Sequence, residues 1–397
     1  MSSYKSQINP SQVSNVPHGL KNESIIIPSQ SSPSFGAQFT IQFNQTNLFL
    51  HDMVLDFNVG AIQTTGTAVF NTNSPRLNPS ALWIQKIEIK IGSSVISTLY
   101  DLDIFEHIEL WSQDETHRIY LNNAMGLYSS PASRYTLSNT TSDWFVPIKC
   151  FLNSSHIPII SLGQMITLNV YMQPLANLVT NSLASGSITS QTCTINSCSL
   201  IARTTEMTQD LVNSTTTMLT KTPTTYYFSD VKYQSFVMQS GITQFTGVLS
   251  NITGPLQALY FVVRPTTGLT GDNEFSFTAI NNFQILDGGS TNIVGGSSLK
   301  GTFNQTVQAS QWVKTFYFND SFTGTSNSYV YLYAFSIEPI QDINMGKSSG
   351  GTRNFVGTES IQVVLNSSLS STYQLDVYAY IRAGVCLTAN GGSKVNV

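Results

Sequence analysis

The stretch IEIKIGSSVI, residues 87–96, decides the fold class of this chain. Ile87, Ile89 and Ile91 fall on one side of an extended segment, and the charged residues between them fall on the other. A period of two is that of a strand with one buried face. The short segment 92–94 that follows, Gly-Ser-Ser, is suited to a tight turn. The stretch therefore predicts a β-hairpin.

The same alternation recurs along the chain and predicts an all-β protein. Strands are predicted at 39–43, 53–59, 83–91, 95–96, 144–149, 165–172, 193–202, 225–239, 256–264, 275–286, 312–318, 329–338, 360–365 and 374–386. One helix is predicted over 103–111, where Ile104, Ile108 and Trp111 form an apolar stripe. Many strands at this spacing indicate sandwiches, and long irregular insertions between them are typical of jelly rolls.

The chain length and the distribution of prolines predict the domain organisation. A chain of 397 residues is expected to hold two domains of about 200 residues each. Four prolines before residue 34 exclude a regular helix, so residues 1–34 are predicted to form an extended N-terminal arm. The first barrel is predicted at 35–205 and the second at 223–397. Between them, the Thr-rich stretch 206–222 loses the strand pattern and is predicted to be a linker.

The composition favours an assembling protein. Only 10% of the residues are charged, against roughly a quarter in an ordinary soluble domain. A surface with so little charge is expected to be covered by partners. The net charge is −4, and no basic tract appears, so direct binding of nucleic acid is not expected. The polar N-terminus has no signal-peptide pattern, and no apolar run is long enough to span a bilayer.

The sequence predicts no catalytic, cofactor-binding or metal-binding residues. No serine-hydrolase elbow, phosphate loop, zinc-protease motif or dinucleotide fingerprint occurs. The histidines and the four cysteines lack metal-ligand spacing, and reduced, scattered thiols are expected. An acidic cluster at 101–115 is the densest group of carboxylates. A cation site there is the alternative to a solvated or partner-facing helix side, which we favour.

Several segments resemble the major capsid proteins of the double jelly-roll lineage, which is found in nucleocytoplasmic large DNA viruses, virophages and polinton-like viruses. The most specific similarity is in YLYAFSIEPIQDINMGKSSGGTRNF, residues 331–355, where an aromatic strand is followed by Pro339, Ser349–Gly350 and Asn354–Phe355. Four weaker similarities follow the family's order. They lie at 87–111, 156–172, 254–265 and 377–392. The His-Glu pair usual in the family's strand near 164–169 is absent, and the order of Ser and Phe at 335–336 is reversed.

The resemblance implies a fold and a function. It implies two tandem eight-stranded jelly rolls, with short helices in the loops between strands. Three chains would form a pseudo-hexagonal trimer that tiles an icosahedral shell in the virion, assembled in the host cell. The implied partners are two further copies, neighbouring capsomers, penton and minor capsid proteins, and the internal membrane that commonly underlies such shells. No cofactor and no enzymatic activity are expected.

Two other functions remain open at this point. The chain could be a virion spike, vertex or fibre protein whose jelly rolls bind a host glycan. It could also be a carbohydrate-active β-sandwich enzyme, which would need a facing pair of carboxylates in an open groove.

Overall fold

The computed structural model describes most of the chain, with several gaps. The described residues are 22–43, 47–101, 120, 123–126, 131–148, 150–154, 158–159, 165–266, 277–288, 291–292, 299–300, 331–336, 351–388 and 391–396. The predicted helix over 103–111 and the predicted strand at 312–318 lie outside these residues.

The first half of the chain forms two larger antiparallel sheets and three separate two-stranded sheets. Their strands are β1 (Asn22–Pro28), β2 (Gln38–Phe43), β3 (Leu48–Val59), β4 (Gln63–Gly66), β5 (Val69–Phe70), β6 (Arg76–Leu77), β7 (Ile84–Ile91), β8 (Ser94–Tyr100), β9 (Ser142–Ile148), β10 (Pro158–Ile159), β11 (Ile166–Met172), β12 (Val179–Thr180), β13 (Leu183–Ser185), β14 (Ile188–Thr192) and β15 (Ile195–Glu206). One larger sheet has the order β1-β15-β3-β10, with β9 also paired to β3, and the other has the order β2-β11-β7-β8. The two-stranded sheets are β12-β6, β13-β5 and β14-β4. The predicted hairpin at 87–96 is confirmed as β7 and β8.

The second half repeats this architecture. Its strands are β16 (Thr224–Met238), β17 (Gln244–Val248), β18 (Thr253–Pro265), β19 (Ile280–Asp287), β20 (Thr291–Asn292), β21 (Leu299–Lys300), β22 (Tyr331–Ala334), β23 (Arg353–Val356), β24 (Ser360–Leu365), β25 (Tyr373–Thr388) and β26 (Gly391–Asn396). The first sheet is ordered β16-β25-β18-β22, with β23 on β18 and β26 on β25. The second is ordered β17-β24-β19-β20, with β21 on β19. No described strand of one half pairs with a strand of the other.

The helices with described bounds form short connections between strands. The helices are α1 (Pro131–Ser138), α2 (Phe151–Ser154) and α3 (Gln209–Lys221), with 3-10 turns at Ser80–Trp83 and Leu175–Asn177. In the described part of the chain, no helix combines the length and the apolar character needed to cross a bilayer.

The stretch 206–222, predicted only as a linker, contains the helix α3. The Oγ1 atom of Thr208 caps the helix by accepting a hydrogen bond from the amide of Leu211. Val212, Thr215 and Leu219 are buried and recur at helical spacing. The pattern was missed because threonine, which fills this stretch, is a weak helix former.

The predicted arm is also shorter than expected, because β1 already belongs to the first sheet. Asn22–Pro28 pairs along its whole length with Ser199–Thr205 of β15. Ile27 is buried, and Ile25 packs against the core. Pro28 is compatible with this position because β1 is an edge strand. Of the predicted arm, residues 1–21 lie outside the described part of the chain.

Aromatic side chains fill the space between the sheets of each half. In the first half, Trp83 contacts Phe57 and Trp144, with ring centroids 6.0 and 4.9 Å apart. In the second half, Phe261 and Phe283 come from facing sheets, and their centroids are 4.9 Å apart. Burial of the faces that the two larger sheets of each half turn toward each other accounts for the sandwich form.

Gly126 lies so close to the ring of Trp144 that even a methyl side chain at this position should destabilise the fold. A Cβ atom at Gly126, whose φ is +78°, would lie 2.1 Å from the Trp144 ring. We expect Gly126→Ala to lower the free energy of unfolding by about 2–5 kcal/mol, from backbone strain plus overpacking, in a denaturant titration. Gly241→Ala is the matched control, because its φ is +86° and no atom lies within 4 Å of the added carbon. Equal losses in the two variants would contradict the packing argument.

Candidate functional site at the junction of the two halves

The two halves share a continuous hydrophobic core. One cluster of buried side chains runs from β2 and β3 of the first half to β18 and β25 of the second. Phe151 of α2 contacts Phe228 of β16 directly, with ring centroids 4.8 Å apart. A core that crosses the junction holds the two halves in one fixed arrangement.

Arg264 binds two carboxylates at this junction. Its Nε atom donates to Asp376 on the neighbouring strand β25, and its Nη2 atom donates to Asp101, at the end of β8, over 3.2 Å. Asp376 is completely buried, and the side chains of Arg264 and Asp101 are only 12% and 11% exposed. The guanidinium therefore joins the first half to the second through nearly dry ion pairs.

Two tyrosines also donate hydrogen bonds to these carboxylates. Tyr378 donates its hydroxyl to Asp101 over 3.1 Å, and Tyr233 donates to Asp376 over 2.7 Å. Tyr233 also contacts Tyr100 of the first half, with centroids 5.0 Å apart. We call Asp101, Arg264, Asp376, Tyr233 and Tyr378 the junction network.

The surroundings of the junction network keep Arg264 positively charged and keep the hydroxyls of Tyr378 and Tyr233 protonated. Burial works against the charge on Arg264, but Asp101 and Asp376 outweigh it and hold the pKa well above its ordinary value. Burial, assisted by the same two carboxylates, raises the pKa of Tyr378 and of Tyr233. The tyrosines therefore remain hydrogen-bond donors.

A second polar contact joins the halves nearby. Asp230 on β16 accepts a hydrogen bond from the hydroxyl of Ser97 on β8 over 2.8 Å, and it also binds the ammonium group of Lys394 on β26. Asp230 is buried. The C-terminal strand is thereby attached to the same junction.

A cleft of about 320 Å³ opens beside the junction network. Its walls include Lys86, Tyr100 and Gln173 from the first half and Arg264 and Gln374 from the second. Among the charged groups of these walls, Arg264 is paired with Asp101 and Asp376, and Lys86 is paired with Glu88.

The predicted acidic cluster at 101–115 is described only at Asp101. That carboxylate is committed to Arg264 and Tyr378. The other acidic residues of the cluster lie outside the described part of the chain. Within the described residues, no three histidine, cysteine, aspartate or glutamate side chains are grouped as metal ligands.

The four cysteines are free thiols. Cys150 and Cys198 are buried, whereas Cys193 and Cys386 are partly exposed. Burial raises the pKa of Cys193 to about 12 and raises that of Cys198 as well. Both remain thiols at neutral pH, which makes them poor nucleophiles and poor metal ligands.

Alkaline pH is expected to destabilise the protein. Burial raises the pKa of Tyr226 from 10.0 to about 12, as it does that of Cys193 from 9.0. Each group keeps its proton longer when folded, so its contribution is complete below the unfolded pKa and is lost as pH rises through the folded one. We expect the melting temperature to fall between about pH 9 and pH 12.

Tyr226→Phe tests this titration. Within the described residues, the hydroxyl of Tyr226 is buried without a hydrogen-bond partner, so its removal should leave stability at pH 7 unchanged or slightly higher. The variant should show a shallower loss of melting temperature at alkaline pH. An alkaline profile identical to that of the unmodified protein would contradict the assignment.

Sequence reasoning missed the junction network. A signal was present: Arg264 ends the apolar run LYFVVRP, and Asp376 interrupts the apolar face of YQLDVYAY. Charges inside such strands are rare in a chain with so few charged residues. Their partners could not be named, because Asp101 is 163 residues from Arg264 in sequence.

Comparisons with known proteins agree with this architecture. Residues 21–214 match the family model described as the N-terminus of major capsid proteins. No curated protein matches the chain by sequence.

Solved structures match almost the whole chain. The VP54 protein of the virus PBCV-1, fitted into a reconstruction of the virophage Sputnik, is 14% identical with a TM-score of 0.70, and the match covers 96% of this chain and 97% of that one. The Faustovirus major capsid protein is 9% identical with a TM-score of 0.66, covering 93% and 91%. The mavirus major capsid protein is 12% identical with a TM-score of 0.54, covering 94% and 90%. At these identities the matches show the fold, which is the double jelly roll.

Proposed function

We propose that this chain is a major capsid protein of the double jelly-roll lineage with its place in the virion capsid, and that it forms trimeric, pseudo-hexagonal capsomers that tile an icosahedral shell. The match of residues 21–214 to the family model and the double jelly-roll fold support this proposal. Each copy would contribute two barrels, so that three copies present six similar units around one axis.

The observation that carries this proposal is the fixed side-by-side pairing of two similar sandwiches. Six units fill a hexagonal lattice only if the two units of each copy keep a constant relative orientation. The shared core and the junction network supply that rigidity, since both cross from the first half to the second. A flexible linker between the barrels would not.

The low charge of the chain supports extensive contact between copies. Desolvating a charge at an interface is costly unless it is paired, and few side chains here would need pairing. We propose neighbouring capsomers, penton proteins and minor capsid proteins as further partners, and an internal membrane beneath the shell.

We also propose a structural role for each successive segment of the chain. The barrels would comprise the first half up to 205 and the second from 223, with 206–222 as their connection. Residues 1–21, which precede β1, would contact the base of the capsomer or a neighbouring one. The family and the fold point to a non-enzymatic role, and we propose that the protein catalyses no reaction and needs no metal to fold.

The expected oligomer is a trimer with a mass three times 43.5 kDa. Light scattering on the purified full chain, coupled to size exclusion, measures that mass. A monomer that persists at micromolar concentration would contradict the proposal. A free-standing spike or fibre would be revealed by an elongated particle in negative stain.

A further inference from the structure

The strand β26 belongs to the second half of the chain but also lies against the first. It pairs with Ala383–Thr388 of β25, on the edge that β18 leaves open beyond Ile381. It also contacts the hairpin of β7 and β8 in the first half. A Cβ atom at Gly392 would lie 3.1 Å from Ile91, at the end of β7, and 3.0 Å from Leu387 of β25. Because β26 touches both halves, we call it the clasp strand.

A buried carboxylate joins the clasp strand to both halves. The side chain of Asp230 on β16 is 4% exposed, accepts a hydrogen bond from Ser97 of β8 over 2.8 Å and binds the ammonium group of Lys394. Lys232 also lies near Asp230, but its ammonium group donates to the carbonyl and hydroxyl oxygens of Thr253, at 2.7 Å each. Lys394 therefore supplies the cation that contacts Asp230, and a buried carboxylate is costly without such a cation.

The clasp strand and the junction network attach the two halves at opposite ends of β8. The junction network includes Asp101, which follows the last residue of β8. The clasp strand contacts Ile91, which pairs with Ser94 at the first residue of β8. The strand β8 is 7 residues long, which corresponds to about 20 Å. Two attachments this far apart fix an angle, whereas one leaves a hinge, because the apolar contacts of the shared core are non-directional.

We propose that docking of the clasp strand on the first half locks the angle between the two sandwiches and thereby makes the chain competent to assemble. This rests on the proposed trimer, because six units close around one axis only when both units of every copy hold the same angle. A chain whose clasp strand is undocked keeps two folded sandwiches, joined by the shared core and the junction network, but they sample several angles.

Lys394→Glu tests the clasp by placing a second carboxylate against Asp230. We expect the dissociation constant of the trimer to rise by about tenfold or more, measured by sedimentation equilibrium. Lys221→Glu is the matched control, because it makes the same change of charge on an exposed residue in the last turn of α3, and it should assemble as the unmodified chain does. A similar loss in both variants would contradict the clasp, since net charge alone would then limit assembly.

A second substitution separates loss of the clasp from misfolding. Adding Asp230→Asn to Lys394→Glu removes the repulsion, since the new amide donates to the new carboxylate while its oxygen still accepts from Ser97. The double variant should regain most of the assembly that Lys394→Glu loses, which a chain unable to fold would not do. A double variant that assembles no better than Lys394→Glu would contradict the proposal.

The distance between the halves gives a readout that does not depend on assembly. Nitroxide labels on p-acetylphenylalanine can replace Ile26 and Val248, which are 67% and 53% exposed and lie in different halves. Double electron–electron resonance, with labelled chains diluted into unlabelled ones, then reports the angle within one chain. We expect one narrow distance distribution in the unmodified chain, a broad one in Lys394→Glu and a narrow one again in the double variant.

The two measurements distinguish failure of the clasp from failure of the proposed function. An equally narrow distribution in Lys394→Glu would overturn the clasp, whatever that variant does in sedimentation. If the distribution broadens as expected but the unmodified chain forms no trimer, the proposed function fails and the locking of the angle by β26 stands.

Discussion

Arg264→Met is expected to lower the free energy of unfolding by about 3–5 kcal/mol. The variant leaves Asp101 and Asp376 buried at the junction without their shared cation. An unpaired buried carboxylate costs far more than the original ion pair contributed, and Asp376 is completely buried. Urea titration followed by tryptophan fluorescence measures the loss.

The surface pair of Arg203 and Asp52 provides the control for this effect. Its atoms are 2.7 Å apart, closer than the 3.2 Å between Arg264 and Asp101, but the two side chains are 64% and 59% exposed. Arg203→Met should therefore cost less than about 1 kcal/mol. Similar losses in the two arginine variants would mean that burial does not determine the strength of the junction network.

Trp83→Ala is expected to have an effect of similar size, about 3–5 kcal/mol. The indole is fully buried among Phe35, Phe57 and Trp144, and its Nε1 atom donates to the carbonyl of Asn78 over 2.7 Å. Truncation removes these contacts, leaves a cavity and removes the hydrogen bond to the carbonyl of Asn78. Chemical unfolding of the purified variant measures the change.

Tyr120→Ala is the corresponding control for an aromatic side chain on the surface. Tyr120 is 70% exposed, so its removal should change stability by about 0.5 kcal/mol or less. A loss below about 1 kcal/mol for Trp83→Ala would contradict the packing described for the first half.

The strands were predictable because their signal is local. Alternation in 84–91 is visible within a few residues, and the face that it marks is buried. In 373–388 the opposite face is buried as well, because it belongs to the core shared with the first half. The edge strand β1 was not predicted because four prolines suggested an arm. Burial of Ile27 against the first sheet outweighed that local preference.

The junction between the halves was not predictable in the same way. Its residues come from β16, β18 and β25 and from Asp101, which follows β8, and the parts from the two halves meet only when both sandwiches are in place. Periodicity shows which face of a strand is buried, but it does not show which strand from the other half will cover it. The charges of Arg264 and Asp376 within apolar strands were the one local indication.

A reconstruction of the purified full-length protein by cryo-electron microscopy tests the central claim most directly. The account predicts a particle of three copies, with six β-barrels arranged around one axis and each first barrel beside the second barrel of its own chain. A single-copy particle, or an assembly of two, four or five copies, would contradict it.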